Sequence, residues 1–540
     1  MPAKVRKDKG ILSFAVELLQ NIGDQIDRLE DKKSLRATCS RLNGALRPQV
    51  LSSLTLRIHK HNLESGIALL EALLNDGGFS AVDRWPLISE CVRTLYIESL
   101  SPSFYPDPDF GTRALPNLDQ LDSTRRDWVR DVTDGLKVKE AHKKLESLLG
   151  PALRSLSNIR SIHWECDCQR DPNWTAHVTM NSLSHLNFLR RLTITYIPDE
   201  SDISVLTAIP NFHNLKSFSF ITPDSVSHPS RVMNQIVAHL ANQFLPENRS
   251  LTSFHIDSGI QGYPLHPWLN ENLQTIGQLE GLQHLGLKGW NLSSPEEEIR
   301  STSDIWSMLR RDGVHLHHIE IDVVDDHLLS YLSSYSGLVR LSLKDIPLFA
   351  NVNNGDTNTD KFYEHVLPRH AYSLEHLEIL PIFEGRWCFE LPAWRALSHC
   401  RALRSLAFKV KSQGLPPGTP ADRNLMFGDR NNDKNTVVNP VNLLLTTAFE
   451  SLPFLRALHI DSARSPVLDP PHLNDRIDRI SRYRLGVRRR IKRAIEVFHV
   501  PKPLSTRFRE LEVFVGGQRC EIGSGIGFIK SWKRRVQGLA

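Results

Sequence analysis

One short spacing recurs through this chain: an apolar residue, two positions, an apolar residue, one position, an apolar residue. The first half carries it at Leu51, Leu54, Leu56; Val92, Leu95, Ile97; Ile159, Ile162, Trp164; Leu189, Leu192, Ile194; Leu215, Phe218, Phe220; and Leu251, Phe254, Ile256. The second half carries it at Leu282, Leu285, Leu287; Leu316, Ile319, Ile321; Leu338, Leu341, Leu343; Leu374, Leu377, Ile379; Leu403, Leu406, Phe408; Leu455, Leu458, Ile460; and Phe508, Leu511, Val513. The last two apolar residues of each phrase alternate with another residue, so they share one face of a short strand, and the first sits on the turn entering it. Any one phrase fits an ordinary buried strand of an α/β protein. Thirteen in series call for units that cannot bury their apolar side alone and do so by stacking on their neighbours.

Helical phrases lie between the strands. Asp202, Ile203, Val205, Leu206 and Ile209 have roughly helical spacing, and Asp325 and Asp326 stand where an acidic cap would precede Leu328, Leu329 and Leu332. Strand, helix, strand in that order requires parallel strands joined by crossovers. The pattern resembles the leucine-rich repeat family, which implies an irregular solenoid over residues 51–517 with its strands on a concave side. The Asn or Cys that closes a typical repeat of that family is mostly missing, and the period varies. Three polar or proline-rich stretches, 101–117, 351–360 and 411–440, read as loop insertions, and 518–540 as a C-terminal tail or cap.

The first fifty residues have another rhythm. Phe14, Leu18, Ile22 and Ile26 fall four apart with Leu19 beside them, and a second helical phrase starts at Asp31 and runs through Leu35, Cys39, Leu42 and Leu46 until Pro48 stops it. Short helices in so few residues make a poor core by themselves and need a partner or the adjoining repeats. The run Phe14-Ala15-Val16-Glu17-Leu18-Leu19, with Ile22, Ile26, Leu29, Asp31, Leu35, Cys39, Arg41 and Leu42, resembles an F-box over residues 11–50. Ala15 stands where that family has Pro, and Phe14 where it has Leu. Gly23 falls late in the first helix, at a cost of about 1 kcal/mol in propensity relative to Ala. The resemblance implies a Skp-type adaptor gripping Phe14, Glu17, Leu18, Ile22 and Leu35, and through it a cullin complex. Helices that merely cap the open end of the repeats are the alternative.

Composition narrows the chemistry. The chain has 540 residues, with 66 Lys and Arg against 61 Asp and Glu, a formal net charge of +5. That is small for a nucleic-acid binder, so no nucleic acid is expected. Seven scattered cysteines make no disulfide scaffold, and no long apolar run or secretory leader is evident, so a cytoplasmic or nuclear, membrane-free protein is expected. His163, Cys166 and Cys168 lie close together without a second ligand pair, and the glycines 523, 525 and 527 have too little chain after them for a βαβ unit. No nucleophile, metal or phosphate-loop motif is present, so neither an enzyme nor a cofactor is expected. The basic run from Arg484 to Arg493 reads either as a nuclear import signal or as the solvated face of a helix whose apolar side is Ile480, Tyr483, Leu485, Val487, Ile491 and Ile495.

The expected function is therefore that of a substrate-recognition subunit of an SCF-type ubiquitin ligase holding an unknown protein substrate. The alternative is a leucine-rich scaffold unrelated to ubiquitin. Strand residues alternating with the buried ones are expected to form the target-binding face, with His255, Asp257, Lys288, Glu320, Asp322 and Lys344 as its candidates.

Overall fold

Each of the spaced phrases becomes a strand of a mostly parallel α/β fold. The computed structural model describes residues 14–26, 28–75, 88–102, 132–168, 170–197, 212–222, 240–257, 279, 281–288, 303–344, 346, 352–412, 415, 439–464, 476–498 and 511–520. The chain divides into two units, Met1–Leu251 and Thr252–Ala540.

In the first unit β1 (Ser53–Ile58), β2 (Thr94–Leu100), β3 (Ser161–Asp167), β4 (Arg191–Ile197) and β5 (Ser217–Ile221) pair in chain order and all in parallel. The apolar positions stay in register: Leu54, Leu95, Ile162, Leu192 and Phe218 form one row, and Leu56, Ile97, Trp164, Ile194 and Phe220 the next. Phase is set by burial, since a slip of one residue would turn every apolar side chain to the other face.

The second unit repeats the scheme with β6 (Ser253–Asp257), β7 (His284–Lys288), β8 (His318–Ile321), β9 (Arg340–Lys344), β10 (His376–Leu380), β11 (Ser405–Val410), β12 (Ala457–Ser462) and β13 (Glu512–Val515). Its rows run Phe254, Leu285, Ile319, Leu341, Leu377, Leu406, Leu458, Val513 and Ile256, Leu287, Ile321, Leu343, Ile379, Phe408, Ile460, Val515. All of these are buried, and each such side chain contributes about 1.5–3 kcal/mol over leaving it exposed. β14 (Gln518–Cys520) pairs antiparallel with β13. The turn between them is Gly516-Gly517, at φ 55° and 79°, the left-handed pair that a two-residue hairpin turn requires.

Several crossovers carry described helices that bury one stripe each. Leu63–Asn75 buries Ile67, Leu70 and Leu73 and packs against Val132–Ser155, which in turn packs against Asn173–Ser184. Asp325 caps Asp326–Ser334 as its position suggested, its Oδ1 accepting the Leu328 N–H at 2.8 Å. The helical phrase at Asp202–Ile209 lies outside the described residues.

Some local readings change. The N-terminal segment has three helices, α1 (Val16–Asp24), α2 (Leu29–Ala37) and α3 (Ser40–Val50). The phrase starting at Asp31 is broken at Thr38-Cys39, where Cys39 N-caps α3 through its sulfur. Pro48 does not stop α3, which runs on to Val50. The Asn-rich stretch at 351–360 is not a loop: Val352–Lys361 is helical, with Asn358 and Thr359 buried and the Asn358 Nδ2 donating to the Val324 carbonyl at 3.3 Å. Pro440, read as the end of an insertion, is the first residue of helix Pro440–Glu450, N-capped by Asn439. Most of the stretches at 101–117 and 411–440 lies outside the described residues, as do the glycines at 523–527.

Candidate functional site

Two surfaces answer to the sequence reading, one on the N-terminal helices and one on the strands. On the first, α1 turns Leu19 and Gly23 inward against Leu42, Ala45 and Leu46 of α3. Gly23 is the price of that contact, because an added Cβ would collide with Leu46 and Gln49. Its low helix propensity is thus offset by close helix packing. Val16, Ile22, Leu35 and Cys39 pack around the same small core. The predicted adaptor residues therefore separate into two groups. Phe14 (41% exposed), Glu17 and Leu18 (51% exposed) face outward, whereas Ile22 and Leu35 are half-buried parts of the local core. The Arg41 guanidinium donates to the Phe14 carbonyl at 2.6 Å and holds the entry to α1.

On the strands of the second unit, the residues alternating with the core form a continuous ion-pair ladder. Lys288 Nζ lies 2.8 Å from Asp257 and 2.9 Å from Glu320; Lys344 Nζ lies 3.1 Å from Glu320 and 3.1 Å from Glu378. Ser342 donates to Glu378 at 2.8 Å, and Arg340 reaches the same carboxylate at 3.4 Å. Burial disfavours the charged Glu320, but the ammonium groups of Lys288 and Lys344 outweigh it and pull its pKa down to about 2. Lys288 is likewise desolvated, yet Asp257 and Glu320 raise its pKa. The ladder thus brings together four of the six predicted residues, Asp257, Lys288, Glu320 and Lys344, and engages them with one another. His255 lies over Gly286, where a Cβ would strike its ring. Asp322, placed with the outward residues by alternation, is buried instead, because β8 ends at Ile321 and alternation ends with it. Sequence reasoning missed Glu378 and Arg340, although β10 and β9 carry the same alternating phrase that would have aligned them.

The first unit has a different strand face. Tyr96 stacks on His163 with ring centroids 4.9 Å apart, and the hydroxyls of Ser161, Thr193, Thr195, Ser217 and Ser219 occupy the same side of the sheet. Cys166 and Cys168 are buried on the other side with their sulfurs 3.7 Å apart. His163 therefore cannot join them, because it has the opposite strand parity. Among the described residues no group of three metal-ligating side chains forms, and no helix is long and apolar enough to cross a membrane.

The basic run lies on helix Arg476–Val497 and is neither purely solvated nor purely apolar on its inner side. Arg488 forms two bonds to Asp461, at 2.8 and 3.0 Å, and Arg484 lies 3.6 Å from the same carboxylate. Arg490 is 6% exposed and donates to the Leu415 carbonyl at 2.8 Å.

A buried histidine couples this unit to pH. His370 accepts the Leu338 N–H on Nδ1 at 3.3 Å and places Nε2 2.9 Å from the Leu332 carbonyl. Burial depresses its pKa to about 4, against the opposing pull of the Leu332 carbonyl. The unfolded chain takes up this proton near pH 6.5 and the folded one only near 4, so stability is lost as pH falls through that window. The His370 contribution to unfolding free energy should drop by about 2 kcal/mol between pH 7.5 and 5. Urea titrations of the parent and of His370→Gln should show a shallower decline in the variant over that range. Parallel declines would place the coupling elsewhere.

The chain matches no protein-family model, and no curated protein is similar to it.

Proposed function

We propose that this protein is a non-catalytic recognition subunit, the substrate receptor of an SCF-type ubiquitin ligase. In this reading the N-terminal helices dock on a Skp-type adaptor and so on a cullin complex, and the leucine-rich strand units hold a protein substrate. The observation that carries it is the division of labour on α1 and its entry: Leu19 fills the local core while Phe14, two residues before the helix, and Leu18 remain outside it. Large apolar side chains kept exposed at one end of a helix suit a partner surface. Parallel strands in chain order, as stacked repeats would form them, support the repeat assignment. Such a receptor needs no active site, since it acts by raising the concentration of its target near a ligase-bound ubiquitin carrier. It would work in the cytoplasm or nucleus, where that machinery operates.

A second reading has its own support. α3 passes into β1 through the single residue pair Leu51-Ser52, and Ile22 and Leu35 are already packed inside. Those features suit a cap on a leucine-rich scaffold unrelated to ubiquitin. Co-purification with a Skp-type adaptor separates the two: a stoichiometric complex supports the receptor, and absence of one at micromolar concentrations supports the scaffold.

A further inference from the structure

The strand entries of the first unit carry cations at one shared position. Arg93, Arg160, Arg190 and Lys216 each precede the first residue of β2, β3, β4 and β5. Their backbones are hydrogen-bonded in series: Arg160 N–H to the Arg93 carbonyl at 2.8 Å, Arg190 to Arg160 at 2.9 Å, Lys216 to Arg190 at 2.8 Å. They therefore stand in one row along the edge where the strands begin, about 4.8 Å apart and about 14 Å from end to end. Arg191 lies beside the row, and Phe188, 55% exposed, is two residues before Arg190.

Arg160, Arg190, Arg191 and Lys216 are exposed and Arg93 is half-buried. Among the described residues no carboxylate pairs with Arg93, Arg160, Arg190 or Arg191. Arg93 and Arg190 spend one nitrogen on backbone carbonyls, at 2.7 Å to Glu90 and 3.1 Å to Asn214, which orients each guanidinium and leaves its other donors for an anion. The second unit lacks such a row. Gln283, His317, Val339, Glu375, Arg404 and Arg456 hold the corresponding positions, and there Arg404 pairs with Glu375 at 3.2 Å. A net charge of only +5 for the whole chain conceals this local concentration.

We propose that this edge binds an acidic peptide segment of a partner protein. Same-side residues of an extended peptide recur about every 6.6–6.8 Å, so about three carboxylates fit along the row. Guanidinium forks match carboxylates in shape as well as charge, and Phe188 offers an apolar contact beside them. A polynucleotide suits it less well: four cations fall short of the roughly six to ten phosphate contacts that give strong, salt-sensitive binding. The inference stands apart from the receptor reading, since it requires neither an adaptor nor ubiquitin.

The test uses the full-length chain and a fluorescein-labelled octaglutamate peptide, read by anisotropy at about 50 mM salt, where surface charges are weakly screened. Arg93→Glu/Arg160→Glu/Arg190→Glu should weaken binding by about tenfold or more, the sum of two exposed charge contacts and one half-buried one. Lys137→Glu/Lys139→Glu/Lys143→Glu makes the same change in net charge on exposed positions of helix Val132–Ser155 and should bind nearly as the parent does. Should the reversals perturb the circular dichroism, the milder triple Arg→Gln variant serves in their place. Equal weakening in the lysine control, undiminished binding by the arginine variant, or no binding by the parent would each overturn the proposal. So would tighter binding of a labelled octanucleotide single strand, which would assign the row to nucleic acid.

Discussion

On the proposed receptor function, Phe14→Asp/Leu18→Asp should abolish adaptor association, by about 100-fold or more, while leaving the thermal midpoint within a few degrees of the parent. Both side chains are substantially exposed, so neither change removes much folded-state packing. With 41% and 51% of their surfaces left to bury, the two together would lose about 1.4–2.8 kcal/mol of burial in a complex, and each would bring a carboxylate into an apolar contact at further cost. Burial and desolvation together exceed the 2.7 kcal/mol or so that corresponds to 100-fold. Ile22 and Leu35 are unsuitable for this test, because they pack on the Leu19, Leu42, Ala45 and Leu46 core and their loss would unfold the segment. Titration calorimetry against purified Skp-type adaptor measures the association, and retained binding by the double variant would remove α1 from the interface. A large fall in the thermal midpoint would instead show that Phe14 and Leu18 are structural.

Lys288→Met should destabilise the second unit by about 1–3 kcal/mol, between the cost of breaking an exposed pair and that of removing one partner from a buried one. The ammonium bridges Asp257 and Glu320 in the ladder, and its side chain is 19% exposed, against 20% and 26% for its partners. Glu320 keeps Lys344 when Lys288 is removed, which moderates the loss. Lys288→Met/Glu320→Gln should cost less than the sum of the two single changes, because each removes the other's reason for being charged. Urea denaturation at pH 7 provides all four corners of that cycle. A single-variant effect under about 0.5 kcal/mol would mean that solvent screens the ladder as it does an ordinary surface pair. The ladder also alters how the strand face would bind a target, since a partner must compete with ion pairs that Asp257, Lys288, Glu320 and Lys344 already make.

The strand layer was legible because its signal is local and repeated. Burial of the second and third residues of the phrases, half-buried Leu54 of the first excepted, follows from alternation alone, and the same alternation selected Asp257, Lys288, Glu320 and Lys344 as neighbours on one side. It failed at Asp322, one residue past the end of β8, where the backbone no longer alternates. Composition misled at 351–360: Asn, Asp and Thr favour loops by competing for backbone hydrogen bonds, yet Asn358 and Thr359 are buried in a helix.

By itself the sequence determined the spaced strands and their phase as far as β12, their parallel sense and the presence of a separate helical segment before them; the last phrase was placed two residues early, since Val513 and Val515 rather than Leu511 and Val513 align with Leu458 and Ile460. Periodicity encodes these, because each unit must bury its own apolar pair against the next. Only the tertiary structure decided which stripe of α1 is core, that Gly23 is a contact point, and that the basic run at Arg484–Arg493 turns toward Asp461 and Leu415. It alone aligned Arg93, Arg160, Arg190 and Lys216 into one edge. Those outcomes depend on contacts between residues tens of positions apart, where charge and shape meet across register, and no spacing within a single phrase carries that information.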